Sequence, residues 1–590
     1  MHKFITLVLS FIVFTISAQN SSLDVISNTP EYSHLVLNNG GIDFRLTENK
    51  VGWFTEMAVD GFSKSYDIGN PDLPVYTKLI EIPFDGDVSL SLINNSETLI
   101  NLSDLGYTNK LMPSQPSVSK SEDSGNRYFN FNETVYNRDA FYSNELITIE
   151  RLGVMREHVL ARIQVSPFAY NPISNTLKVI DNIEFRIEYS SSLKAKKSAY
   201  YSEAYQVNFS KLINAELQSK NNFTSSAVRM IILSDPLFED ALQEFIAWKR
   251  RLGFDIIEAY KGDVGVGYTK ESMKAFVQSY YDNATEQEPA PTYLLLVGDH
   301  EQIPSFQMGN GNWGGHTSDM VYCEFDGNGD YFPEMYYGRF SASTVNELTP
   351  QIDKTLQYEQ YTMPDPSYLS EVLLVAGVDA SMASTYGNGQ INYGTDYYFN
   401  ADHNLTSHTF LYPQSGTSAA EQEIINQVSK GVGYGNYTAH CSPAGWAEPA
   451  FVVNDVNGLD NQNQFGLLIG NCCNSNEFAG VTCFGEVLLR TPNKGAVGYI
   501  GATNSTYWDE DYYWSVGNGP ISINPSYEET SHAAYDCSFH ENDEMEETWS
   551  ISQGQILHAG NLAVSESNGD DEYYWEIYML MGDPTVLTYY

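Results

Sequence analysis

Positive charge is scarce in this chain: 31 Lys and Arg stand against 75 Asp and Glu among 590 residues, a formal net charge of −44 at pH 7. Such a surface repels polyanions, which argues against nucleic acid and anionic membrane surfaces as partners. The shortage is uneven. Residues 226–590 hold 12 Lys or Arg against 50 Asp or Glu, while residues 1–225 hold 19 against 25, and a composition shift of that kind places a domain boundary near residue 225. Long apolar runs are also missing: beyond the N-terminus no stretch reaches the roughly 20 apolar residues that a membrane span needs. The apolar run Phe4–Ile16 follows Lys3 and leads into Ile16-Ser17-Ala18, the pattern of a secretory signal peptide over residues 1–18. The protein is therefore expected to be secreted, or held at the cell surface, with no membrane span. Cysteine is rare as well. Its six residues all lie beyond position 320, too few for a stabilising disulfide framework. A disorder-type composition is absent, with 42 Tyr pointing to a well-packed protein.

Residues 19–190 read as an all-β domain, with short alternating runs such as YTKLIEIPF, HVLARIQVSPFAY and NTLKVIDNIEFRIEYS between turn signals. Residues 191–225 read as a polar, locally basic linker open to proteolysis. From Val228 the pattern changes to strand–helix alternation: VRMIILSD, then an amphipathic helix PLFEDALQEFIAWKRRLGF that ends at Gly253, then DIIEAY, ESMKAFVQSYYDNA and TYLLLVGD. This predicts an α/β domain over 226–590, a mostly parallel sheet flanked by helices. A second series of the same kind begins at SEVLLVAGVD, dividing the domain at about residue 365.

In that second series two strand-length runs end in reactive side chains. GVGYGNYTA delivers His440 and Cys441, and QFGLLIGN delivers Cys472 and Cys473. If the strands are parallel neighbours, their carboxyl ends meet at the edge where open α/β sheets hold their chemistry. An imidazole facing a thiol is the minimum for catalysis by a thiolate. Other readings of the same residues stand beside this one: packed or disulfide-bonded cysteines, a zinc hydrolase using His440 with Cys441, Cys472 or Cys473, or a non-catalytic adhesin on the same fold. Adjacent strand residues point to opposite faces. Cys472 and Cys473 should therefore diverge, so no zinc is expected, one thiol meets His440, and the other packs behind the sheet edge. Asp326, Asn328 and Asp330 alternate with glycines as in a calcium loop, with Glu334 close by.

NYTAHCSPAGWAEP, LLIGNCCNSNEF and TCFGEVLLR together resemble the gingipain family of cysteine peptidases. The resemblance continues through EFIAWKRRLGF, YLLLVGDHEQIP, YYGRFSAS and the closing MGDPTV segment, and Gly69–Val75 resembles a segment of the family's propeptide. It implies a caspase-like catalytic domain preceded by an all-β propeptide that inhibits it. The implied activity is that of a cysteine endopeptidase made as a zymogen, acting on protein or peptide substrates through an acyl-enzyme. By that match His440 is the catalytic base, Cys473 the nucleophile, and the N–H groups of Cys441 and Cys473 the oxyanion donors. Ala439 and Cys441 replace two family glycines, and Cys472 adds a second thiol. Asp379, closing the strand LLVAGVD, stands where the family places an acidic residue to orient the imidazole, and Asp396 is a second candidate. Trp508 matches a tryptophan lining the specificity pocket. Asp396 aligns with an aspartate that pairs with substrate arginine, which implies cleavage after Arg or Lys with Asp396 at the pocket floor. The family also binds calcium in the loop corresponding to Asp326, Asn328 and Asp330. The linker lysines offer activation sites: cutting after Lys220 would leave Asn221 ahead of the first catalytic strand, with Lys197 and Lys211 as alternatives.

Overall fold

The computed structural model describes residues 20–122, 128–191, 198–214, 228–309, 315–327, 329–530, 533–539 and 549–589. The signal-peptide segment, Asn328, Lys197 and Lys220 fall outside these residues.

The N-terminal region is built of antiparallel sheets. One joins Tyr76–Ile82 (β1), Ile147–Met155 (β2) and His158–Val165 (β3) in the order β1-β3-β2. Another places Thr176–Tyr189 between Tyr32–Asn38 and Val88–Asn101. Alternate residues of Tyr32–Asn38 are buried, as period-two patterning requires for a strand with one face on a core. That core includes Leu35, Ile80, Ile163 and Phe185. The β2–β3 hairpin turns on Arg156 (φ 46°) and Glu157 (φ 67°). Two non-glycine residues in the left-handed region suit a tight hairpin but carry a cost.

The second region carries a ten-stranded sheet. Its strands are Arg229–Ser234 (β4), Asp255–Tyr260 (β5), Tyr293–Val297 (β6), Tyr336–Phe340 (β7), Glu371–Ala376 (β8), Thr406–Phe410 (β9), Tyr434–Thr438 (β10), Leu467–Asn471 (β11), Gly498–Ala502 (β12) and Tyr578–Met581 (β13). They run in the order β5-β4-β6-β7-β13-β12-β11-β10-β8-β9. Every pair is parallel except β12–β13. The sheet is thus two parallel halves joined back to back, and the α/β class read from the sequence is correct. The inner strands are almost wholly buried, as covering helices on both faces require, while the edge strands β5 and β9 stay partly open. Among these helices are Glu239–Arg251 (α1), Phe484–Arg490 (α2), Trp508–Val516 (α3) and Gln553–Glu566 (α4). No described helix is long and apolar enough to cross a membrane.

Residues 198–214 differ from the open linker expected there. Short helical turns bury Tyr205, Phe209 and Leu212 in the larger core, beside Leu79, Leu152 and Leu160 from the N-terminal sheet. The aromatic and aliphatic residues in this otherwise polar stretch gain more from burial than the chain loses by ordering. Lys211 is part of this packed segment, with its ammonium reaching the Ala559 carbonyl at 3.4 Å.

Candidate functional site

β10 and β11 are parallel neighbours, pairing Tyr434 with Leu467 through Thr438 with Asn471. β8 lies on the other side of β10. Three carboxyl ends therefore converge, and they deliver Asp379, His440 and Cys473. Asp379 Oδ2 lies 3.2 Å from His440 Nε2, and its Oδ1 accepts the backbone N–H groups of Ser381 (2.7 Å) and Met382 (2.9 Å). Burial would raise the Asp379 carboxyl, yet these hydrogen bonds outweigh it and hold it down at about 2. The other imidazole nitrogen, Nδ1, meets the backbone carbonyl of Lys120. Each ring nitrogen thus faces an acceptor oxygen, and the two together fix the plane of the imidazole. Cys473 is buried, and its sulfur takes the Thr506 N–H at 3.3 Å. Burial pushes its thiol up to about 11, against the pull of the Thr506 N–H and the Lys120 ammonium.

Lys120 belongs to the N-terminal region, and its backbone is held like an added strand. Its N–H donates to the Thr506 carbonyl (2.8 Å), Trp508 N–H donates to the Val118 carbonyl (2.9 Å), and Ser119 faces Tyr507 in an antiparallel bridge. This is peptide recognition by strand addition. The Lys120 side chain fills a closed pocket. Its ammonium lies 2.7 Å from Asp511 Oδ2, 2.9 Å from Thr438 Oγ1 and 2.8 Å from the Asn471 carbonyl. Both partners of the ion pair have fully buried side chains. Burial pulls the Lys120 ammonium down, with Asp511 opposing it. Trp508 covers the ammonium, its ring centroid 4.4 Å away, a cation–π contact. Asp511 is fixed in turn by the hydroxyls of Tyr574 (3.0 Å) and Tyr578 (2.5 Å). On the opposite side of the segment, a cleft of about 320 Å³ opens beside Ser119, Ser121, Tyr507 and Tyr573.

The pocket floor corrects the sequence reading. Asp396 is exposed on a helical turn, Gly394–Tyr398, and does not meet Lys120; the carboxylate that does is Asp511, from α3. Sequence reasoning missed both Lys120 and Asp511. The signal for Asp511 was present in the run Trp508-Asp509-Glu510-Asp511, three consecutive acids that are all buried. Asp509 turns to Lys64 (2.8 Å), Glu510 to the Ser117 hydroxyl (2.5 Å), and Asp511 to Lys120. Nothing in the sequence around Lys120 marked it.

Cys472 is a second correction. It is not a free thiol packed behind the sheet edge: it forms a disulfide with Cys441. The alternation explains the pairing, because Thr438 and His440, with Asn471 and Cys473, share one side while Cys441 and Cys472 take the other. Two of the sulfurs that a zinc site would use are thereby joined to each other. The Lys120 carbonyl meets His440 Nδ1; no hydrogen bond from the Cys441 or Cys473 N–H reaches it among the described residues.

A second cluster lies away from this edge. Carboxylate oxygens of Asp326, Asp330 and Glu334 lie within 4.8 Å of one another. No hydrogen-bond donor reaches the buried atoms Asp330 Oδ2 and Glu334 Oε1. Three converging carboxylates with orphaned buried oxygens fit a hard divalent cation such as calcium. Asn328, between them in the sequence, is outside the described residues.

Known proteins place the chain. The sequence profile of Peptidase family C25 matches residues 223–589, and that of its propeptide matches residues 41–223. Lys-gingipain HG66 of Porphyromonas gingivalis is 35% identical over 565 residues, 93% of this chain and 32% of that protein. The chain thus spans about a third of the length of these relatives. Gingipain R2 of the same species is 24% identical over 459 residues, 75% of this chain and 59% of that one. A solved structure described as "Structure of Protease" superposes with a TM-score of 0.56 at 38% identity, covering 62% of this chain and 79% of the other. A His–Asp pair beside a cysteine at converging strand ends, closed by a lysine from the preceding β-rich region, accords with these matches, and the chain belongs to peptidase family C25, with that family's propeptide ahead of its peptidase region.

Proposed function

We propose that this chain is an exported cysteine endopeptidase made as a zymogen, that it cleaves after lysine, and that its propeptide inhibits it by occupying the site as a substrate would. The seating of Lys120 carries this reading. Its ammonium has three N–H donors, and the pocket offers three acceptors in Asp511, Thr438 and the Asn471 carbonyl. A guanidinium is longer and planar, with five donors, and finds neither the depth nor the acceptors. A neutral side chain would leave Asp511 buried and unpaired, which disfavours it by several kcal/mol, about 3–5 for a broken buried pair.

In a bound substrate the Cys473 thiolate attacks the lysyl carbonyl carbon, forming the C–S bond. His440, held by Asp379, delivers a proton to the departing amine as the C–N bond breaks. Water then hydrolyses the thioester, releasing the new carboxyl terminus and the free thiol. The N–H groups of Cys441 and Cys473 are the expected donors to the transient oxyanion. Calcium held by Asp326, Asp330 and Glu334, with Asn328 as a further oxygen ligand, would cancel their mutual repulsion and stabilise the peptidase region. Maturation is proposed to cut after Lys220.

The test is a peptide library cleaved by the matured enzyme, with the N-terminus of that enzyme sequenced. Lysine is expected before the scissile bond. Asp511→Asn should lower kcat/KM on lysyl peptides by about a hundredfold or more, while Asp396→Ala leaves it unchanged. Equal cleavage after arginine, or full activity of Asp511→Asn, would overturn the specificity.

A further inference from the structure

We infer that cation binding at the Asp326–Asp330–Glu334 cluster and docking of the propeptide strengthen each other. The inference rests on the calcium reading above and adds what holds the cluster in shape. The propeptide's β2–β3 hairpin takes one oxygen of each of two carboxylates and leaves the other oxygen free. Val154 N–H donates to Asp330 Oδ1 at 3.0 Å, and Asp330 Oδ2 receives no donor. Arg156 N–H donates to Glu334 Oε2 at 2.5 Å, joined by the Tyr281 hydroxyl at 2.8 Å, and Glu334 Oε1 receives no donor. The two oxygens left without donors belong to the residues whose carboxylates converge with Asp326.

The hairpin is shaped for this contact. At Gly153 a Cβ would lie 2.3 Å from Asp330 Oδ1 and 2.6 Å from the Phe332 ring, so only glycine allows the strand this close. Arg156 accepts a left-handed backbone (φ 46°), and its guanidinium is anchored in return. It donates to the carbonyls of Glu334 (2.8 Å), Tyr200 (2.9 Å) and Pro291.

The sign of the coupling follows from which oxygens are engaged. A carboxylate already fixed by an N–H has lost the rotamer freedom that a metal ligand must give up, as outer-shell hydrogen bonds do at metal sites. The cation in turn neutralises three crowded carboxylates and steadies the loop that receives the hairpin. Competition would instead require Oδ1 and Oε2 as ligands, and donors already hold both. Coupling between two binding events is reciprocal, so cation and hairpin must help each other by one factor.

The experiment uses the full chain carrying Cys473→Ala, which cannot process itself. Calcium chloride binding is measured by titration calorimetry, and hydrogen exchange of the Val154 and Arg156 amides is followed in calcium and in chelator. Calcium should slow exchange of both amides by about tenfold, and Gly153→Ala should weaken calcium binding by a similar factor. Calcium binding with unchanged exchange at both amides overturns the coupling and leaves the site reading intact. No calcium binding at all overturns both. If Gly153→Ala fails to fold, the exchange measurement on the otherwise unaltered hairpin decides alone.

Discussion

Cys473 and Lys120 show at single residues how the proposed latency would be built. The buried thiol sits at about 11, above its ordinary value of 9.0, so the folded chain favours the protonated form. Its contribution to stability is complete below pH 9.0 and fades as the pH rises through about 11. Asp379 works with the opposite sign: its carboxyl is held at about 2 against an ordinary 3.8, so its contribution is present above 3.8 and lost as the pH falls through about 2. At pH 8 the Cys473 shift cuts the thiolate fraction by about a hundredfold relative to an ordinary thiol. We therefore expect iodoacetamide to label Cys473 in the intact chain at least a hundredfold more slowly than an exposed cysteine. Mass spectrometry of the labelled peptide over pH 7–10 measures this directly. Labelling at the ordinary rate would mean that the segment around Lys120 does not stay in the site.

At the scale of elements, the site depends on the ends of β10 and β11. Each end supplies groups to both parts of the proposed site: Thr438 and His440 from one, Asn471 and Cys473 from the other. The Cys441–Cys472 disulfide ties these ends together across 31 residues of sequence. Loop-closure entropy for a loop of that size is about 3–4 kcal/mol. The double variant Cys441→Ser/Cys472→Ser should lower Tm by about 3–6 °C in calorimetry. It should also lower kcat and raise KM together, since the tie sets the spacing of His440 and Cys473 and that of the pocket acceptors Thr438 and Asn471 on the same strand ends. A variant with unchanged Tm and kcat would make the bond incidental. Next to it, α2 begins with the Glu486 carboxylate accepting the Cys483 N–H at 2.8 Å, a side-chain cap on the orphan donors of the first turn. Phe484 and Leu488 of the same helix are fully buried, so this motif supports the site without entering it.

Across the whole molecule, the uneven charge has a structural meaning. Cations of the N-terminal region meet acids of the peptidase region: Lys64 with Asp509 (2.8 Å), Lys78 with Glu566 (2.6 Å), Lys120 with Asp511 (2.7 Å) and Arg162 with Asp571 (3.7 Å). These pairs are unequal. Lys64 and Lys78 keep 31% and 22% of their side chains exposed, while Lys120 keeps none, so screening weakens the first two and spares the third. We expect Lys120→Ala to raise the basal peptidase activity of the unprocessed chain by about a hundredfold or more. Lys64→Ala or Lys78→Ala should raise it less than tenfold, and 1 M salt should reproduce much of that smaller effect. Equal effects from all three would show that net charge, rather than the filled pocket, maintains latency.

The sequence by itself determined the α/β class and the places of His440 and Cys473, because short buried strands ending in reactive groups leave a local pattern in the chain. The acidic loop around Asp326 and Asp330 was legible for the same reason, since its spacing is local. What only the tertiary structure decided are pairings between distant residues. Asp511 rather than Asp396 faces the pocket because α3 packs beneath the ends of β10 and β11, and no period in the sequence reports that. Cys441 joins Cys472 because two strands 31 residues apart are neighbours in register. Lys120 occupies the site, and Gly153 and Arg156 reach the acidic cluster, because a separate β-rich region docks across the peptidase region. Such docking follows from the shape and charge of two assembled surfaces, which no single stretch of sequence contains.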